Sequence, residues 1–218
     1  MVETMLAAIH KAYPMKALPA GEYTKMKVSG MNFTIRHYTA KGLGHVSAMT
    51  ASGFFGLMKM DTVIITPTEI DMPLFSYDRV LAMGNDTLIF ELYDTLLAPK
   101  PLGKIDAVKE AMRALPEHDL GAHWYDSIKL AVSVSKKGKK KHRAAFDEAV
   151  RAYLDAYLEE ACDAAPCEAE AKQEKASVYV EGLLKNGGPS TDVFKKGIGE
   201  EKTADLFRRV LFASKGGC

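Results

Sequence analysis

The sequence predicts an α/β protein, a three-layer α/β/α sandwich around a central and largely antiparallel sheet. Three observations carry that expectation. Six short β-type runs crowd the first half of the chain, helical spacing takes over after Pro101, and one amphipathic helix precedes the first strand. Each face of a sheet must bury its apolar side, so helices from both ends of the chain are expected to cover it. Strands grouped together, without a helix between each pair, argue against a doubly wound nucleotide fold.

The elements follow in order. Residues 2–13 carry the spacing of a short helix that Pro14 ends, and a Pro- and Gly-containing connection runs on to Gly21. Residues 25–28, 32–38 and 45–51 are short strands broken by Gly30, Gly42 and Gly44, and residues 54–66 form a longer one stopped by Pro67. Residues 79–83 and 87–93 flank Gly84-Asn85-Asp86, whose turn chemistry favours antiparallel pairing. Beyond Pro101, residues 105–115 read as a helix and residues 124–134 fit either helix or strand. Residues 143–161 are helical, because Phe146, Val150, Tyr153, Leu154 and Tyr157 recur three and four apart. Residues 169–184 form another helix, closed by the breaker Asn186-Gly187-Gly188-Pro189, and residues 200–212 form the last.

With 218 residues, 47% hydrophobic and 26% charged, the chain can bury a substantial core, and one domain over residues 1–218 is expected. Its 29 basic and 28 acidic residues create no global field toward nucleic acid or an anionic membrane, so neither is an expected partner. Any charged partner must meet a local patch. No apolar run approaches the roughly 20 residues of a membrane-spanning helix. Residues 1–13 lack the basic start and apolar centre of a secretory leader, so a cytoplasmic location is expected. Cys162, Cys167 and Cys218 do not make a disulfide framework and are expected to be reduced thiols. No histidine follows His142, so Cys162 and Cys167 lack the further ligands a metal would need. The patterns GxGxxG, GxxxxGK[ST], HExxH and GxSxG are all missing, and no tightly bound cofactor or metal is expected. His118 and His123 bracket one loop and can reach a common ligand.

Two segments are distinctive. The first is Ile70-Asp71-Met72-Pro73-Leu74-Phe75-Ser76-Tyr77-Asp78-Arg79-Val80, after the run that ends at Thr66-Pro67. The second lies between Tyr179 and Phe212, with Tyr179 seven residues before Asn186, then Phe194-Lys195-Lys196-Gly197-Ile198-Gly199-Glu200 and a closing Val210-Leu211-Phe212. Together with Trp124 ahead of the long helix, they resemble the ferredoxin-dependent bilin reductases over residues 45–212. The resemblance implies an antiparallel sheet between helices and an open-chain tetrapyrrole lying between sheet and C-terminal helices. It implies reduction by single electrons from reduced ferredoxin or flavodoxin, with protons supplied by the protein and no flavin, metal or nicotinamide.

In that family the Asp78 position donates a proton. A carboxyl among apolar residues has its pKa raised by desolvation, which suits that role, although an aspartate there can also cap the turn after Pro73. The other family positions depart from the pattern. Counting back from Pro67 puts Thr62 where some members have a substrate-facing histidine, or Asp61 if the register slips by one. A family glutamate falls near Ser47. Asn186 is followed by Gly187 where many members have Asn-Asp, and Gly199-Glu200-Glu201-Lys202 lacks the usual tryptophan. Asp94 is a further candidate carboxylate, equally readable as a turn residue. Asp78 is thus expected to be catalytic and to act alone among the acids, with Ser47, Thr62, Asp61, Asp94 and Asn186 as candidate substrate contacts and a single two-electron reduction as the expected chemistry.

The basic run at residues 136–141 reads as a loop that can dock acidic ferredoxin, grip bilin propionates or simply face water. No aromatics interleave with its lysines, which argues against nucleic acid. Arg36, His37 and Arg79 are alternative partners for propionates. A non-catalytic tetrapyrrole carrier and a reductase of a chlorophyll catabolite are the competing functions.

Overall fold

The computed structural model describes residues 1–214, and among them one sheet of eight strands organises the molecule. The strands are β1 (Met15–Leu18), β2 (Lys25–Val28), β3 (Met31–Ala40), β4 (Gly44–Gly53), β5 (Met58–Pro67), β6 (Leu74–Ala82), β7 (Asn85–Tyr93) and β8 (Val134–Lys139). Their order is β1-β3-β4-β5-β6-β7-β8, with β2 also paired to β3, and every pairing is antiparallel. The central strands are apolar on both sides, as a sheet covered twice requires. In β7, Leu88, Phe90 and Leu92 point to one face while Ile89, Glu91 and Tyr93 point to the other.

Three helices cover the first face: α1 (Val2–Ala12), α2 (Gly103–Ala111) and α3 (Arg143–Cys162). Ile9, Phe146, Tyr153 and Tyr157 pack there on Val46, Val63, Phe75 and Phe90, and the Tyr153 ring stacks on Phe90 with centroids 4.1 Å apart. The opposite face is covered by α4 (Ala169–Asn186), α5 (Pro189–Ile198) and α6 (Glu200–Asp205). α6 widens into a π-helical turn, Leu206–Leu211, in which the Phe212 N–H bonds to the Phe207 carbonyl at 3.0 Å. The expected three layers are present, with α1–α3 and α4–α6 on opposite faces.

Two contacts fix α4. The far edge of the Trp124 six-membered ring presses on Gly182, where a Cβ would come within 2.1 Å of it, and the indole Nε1–H donates to the Gly187 carbonyl at 3.0 Å. Lys172 is fully buried and donates to the carbonyls of Met72 and Thr95, each at 2.6 Å, and to Asp71 at 3.2 Å. Burial pushes the Lys172 pKa down and the Asp71 carboxylate opposes that. Asp71, also pushed upward by burial, is held below the usual range by the Leu97 and Ala98 N–H groups and by Lys172.

Several elements differ from expectation. Residues 15–18 are a strand because Pro14 and Pro19 bracket four residues that reach the β3 edge, with Met15 opposite Ala40. The basic run begins in a strand, β8, and not in a loop. Buried Val134, Lys136 and Gly138 alternate with exposed Lys137 and Lys139, and the Lys136 ammonium is satisfied by the Leu115 carbonyl at 3.3 Å and by Glu117. Of residues 124–134, Trp124–Ile128 form a 3₁₀ turn. β5 starts at Met58 after the turn Phe54–Gly56. Pro189, expected as a breaker, opens α5 at the position where a missing N–H costs nothing. Cys162 and Cys167 are free thiols, and Cys218 lies outside the described residues. Among the described residues no helix is long and apolar enough to cross a membrane.

Candidate functional site

A cavity of about 210 Å³ lies between the sheet and the C-terminal helices. Thr62 on β5, Asp78 on β6 and Glu91 on β7 line its floor, and Tyr125, Tyr179 and Phe207 contribute to its walls. The register explains the convergence. Thr62 stands opposite Asp78 and Ser76 opposite Glu91, all on one pleat face.

Asp78 sits in the middle of β6, not at its start, because Leu74 rather than Arg79 opens the strand. Its carboxyl touches the cavity and is otherwise enclosed by protein. Thr62 Oγ1 donates to Oδ1 at 2.5 Å and Ser76 Oγ donates to Oδ2 at 3.4 Å. Burial raises the Asp78 pKa to about 6; the Thr62 bond pulls it back, the Glu91 charge adds to the rise and the Ser76 bond opposes it. A carboxyl in that range holds a proton near neutral pH and can release it, which is what a general acid must do.

Glu91 was not among the sequence candidates. It is buried, accepts the Tyr93 hydroxyl at 2.6 Å and lies 3.6 Å from the Lys129 ammonium. Tyr93 stacks on Tyr179 at 4.0 Å, and burial drives both phenols well above their ordinary pKa, so both remain neutral donors. The available signal was a glutamate on an otherwise uncharged row of a strand apolar on both faces. Glu91→Gln removes the charge that helps raise Asp78, so the Asp78 pKa is expected to fall in a carboxyl-resolved NMR titration. An unchanged pKa would mean that the two carboxyls do not interact.

The remaining sequence candidates lie elsewhere. Ser47 is on the same sheet face, yet its hydroxyl donates to the Leu211 carbonyl at 2.7 Å and ties β4 to the π turn. Asp61 points to the opposite face, as the two-residue period of β5 demands once Thr62 faces the cavity, and its Oδ2 lies 3.9 Å from the N-terminal nitrogen. Asp94 follows β7, is exposed and accepts the Leu96 N–H at 3.2 Å, the pattern of a turn residue. Asn186 is exposed at the end of α4.

None of the alternative propionate partners lines the cavity. Arg79 is on the Asp61 face, forked onto Asp86 at 2.9 and 2.8 Å and bonded to Asp147. Arg36 pairs with Glu3 at 2.5 Å. His37 lies 3.2 Å from His45 within the buried sheet, where burial, followed by the neighbouring His37, pushes the His45 pKa down to about 3. His123 does line the cavity, stacked on Tyr125 at 4.8 Å, whereas the His118 N–H bonds to the Ser135 carbonyl. No group of three or more metal-ligating side chains converges among the described residues.

No protein-family model matches the sequence, and no curated protein sequence matches it. Among solved structures, tomato phytochromobilin synthase in complex with biliverdin has the same fold. The TM-score is 0.78 at 13% identity, over 94% of this chain and 79% of that one. The chain therefore shares the fold of that protein.

Proposed function

We propose that the cavity binds a linear tetrapyrrole of the biliverdin class and that the protein reduces it with electrons from ferredoxin or flavodoxin. Asp78 then supplies one of the two protons each reduced double bond takes, and water at the cavity mouth supplies the other and reprotonates Asp78. Each reduced double bond takes two electrons and two protons. The electrons arrive singly from the donor, and protonation of the singly reduced ring by Asp78 keeps the second transfer from placing a further negative charge on it. The observation that carries this reading is a carboxyl with its pKa raised to about 6, on the floor of a largely apolar cavity, in a fold shared with a biliverdin complex.

The chain's other residues have definable parts. Thr62 orients the Asp78 carboxyl through Oδ1 and leaves Oδ2 toward Ser76. Tyr93 and Tyr179 offer a flat wall and neutral hydroxyls. Neither lysine nor arginine lines the cavity, so the propionates of a bilin would extend past its mouth toward solvent. Glu91 modifies the one-acid expectation, because a second carboxyl shares the cavity.

The second reading is a tetrapyrrole carrier without chemistry, favoured by hydroxyls at Ser47 and Thr62 where the family resemblance leads one to expect an acid and an imidazole. Anaerobic incubation with biliverdin separates the two. For a reductase, the bilin absorbance bleaches or shifts to a dihydrobilin only when reduced ferredoxin is present. For a carrier, the spectrum changes on mixing and then stays constant when the reductant is added. A four-electron product would show that two acids serve the reaction.

A further inference from the structure

We propose that the protein docks on an anionic lipid surface through the turn end of its sheet. Six large hydrophobic side chains are exposed among the described residues, and four of them occupy two turns: Phe54, Phe55 and Leu57 between β4 and β5, and Met83 between β6 and β7. These turns are neighbours in space, because Met58 at the start of β5 pairs with Ala82 at the end of β6. Phe55 is 108% exposed and Met83 91%, so nothing among the described residues covers them.

The backbone sharpens the case. Phe54, Phe55 and Met83 have φ of 52, 55 and 50°, the left-handed region that glycine enters freely and bulky residues avoid. Glycines follow at Gly56 and Gly84, so the turns already contain residues suited to that geometry. Water-facing aromatic and thioether side chains on a strained backbone contribute nothing to the core, and the strain points to a role outside it.

A basic collar surrounds this tip. Lys59 pairs with Leu81 beside the turns, Lys139 pairs with Asn85 on the far side, and Lys140 and Lys141 follow at once. Lys27 sits at the adjoining β2–β3 turn, and all five lysines are exposed. The turns at residues 29–30, 54–57 and 83–84 hold no acidic residue, and Asp86, beside them on β7, is 1% exposed and held by Arg79. Projecting apolar side chains inside a ring of lysines fit the boundary between anionic headgroups and acyl chains, where the apolar groups insert and the lysines meet negative charge. A second copy of this chain fits badly, since two collars of the same sign would face each other.

Co-sedimentation of the full chain with vesicles tests the proposal. Binding is expected to vesicles containing phosphatidylserine, weak to phosphatidylcholine alone, and reduced by salt. Phe55→Ser combined with Leu57→Ser, and separately Lys139→Glu with Lys140→Glu and Lys141→Glu, are each expected to weaken binding at least roughly tenfold. These side chains are exposed, and thermal melting of each variant beside the parent checks that the fold is kept. No binding to phosphatidylserine vesicles, equal binding to both vesicle types, or variants that bind like the parent would overturn it. So would a concentration-dependent dimer abolished by the same substitutions, which would assign the tip to a second copy, or binding to an acidic redox protein without binding to vesicles.

Discussion

Asp78→Asn is expected to stop bilin turnover and, at the same time, to stabilise the fold above pH 6. Loss of a positioned general acid lowers a rate by about 10²–10⁴-fold. The amide keeps the volume of the carboxyl and can still meet Thr62, so binding should persist, with the reaction halted at a coloured radical. The stability effect follows from linkage. The folded protein raises the Asp78 pKa from 3.8 to about 6, so it binds that proton more tightly than the unfolded chain does. Stability therefore falls as pH rises from about 4 to about 6 and stays lowered above it. An asparagine carries no such penalty, and the variant should gain on the order of 2–3 kcal/mol near neutral pH, with little gain at pH 4. Full activity in the variant would remove Asp78 from the mechanism. A pH-independent stability difference would instead contradict the raised pKa.

Lys172→Ala is expected to be the most damaging single truncation on the cavity side. It leaves the Met72 and Thr95 carbonyls without their buried donor and strips Asp71 of its charge partner. Removing one member of a buried ion pair costs about 3–5 kcal/mol, which for a chain of this size lowers the melting temperature by on the order of 10 °C. The damage should reach the cavity, because Lys172 fastens α4 to the loop before β6 and to the end of β7, and α4 carries Tyr179. Lys172→Met keeps most of the side-chain volume, so its melting temperature separates lost packing from lost charge pairing. A Lys172→Ala protein that melts with the parent would mean that α4 is held by Trp124 and its apolar face alone.

The fold was legible in the sequence wherever one face of an element had to be apolar. The β-type runs of β3 to β7, the Gly84-Asn85-Asp86 turn and the three-and-four spacing of α3 all had visible signatures, because buried strands and half-buried helices each leave their own apolar pattern. β1 and β8 had none. A four-residue strand between prolines and an edge strand built from lysines have no apolar stripe to read. α5 was hidden by Pro189, which can end one helix or begin the next. In the site, Asp78 stood out through the segment at residues 70–80 and Thr62 through counting back from Pro67, and the strand register sets the two opposite each other. Glu91 could not, because the hairpin reading pairs its strand with β6 but does not give the register that sets Glu91 opposite Ser76 on the Asp78 face. Asp61, Asp94 and Asn186 lie outside the cavity lining for local reasons: the opposite pleat face, a turn of its own, and an exposed helix end.

The π turn at Leu206–Leu211 has a consequence for how this cavity can change over time. A π turn holds one residue more than the α turn it replaces, so it absorbs a single inserted or deleted codon without shifting the helix before it. Losing one residue here would restore α-helical winding and shorten the turn that carries Phe207 and Leu211 into the cavity roof. The floor, locked in an eight-stranded register, has no such freedom. Variation in ligand shape among proteins built this way can therefore enter through the length of the roof while Asp78 beneath stays fixed.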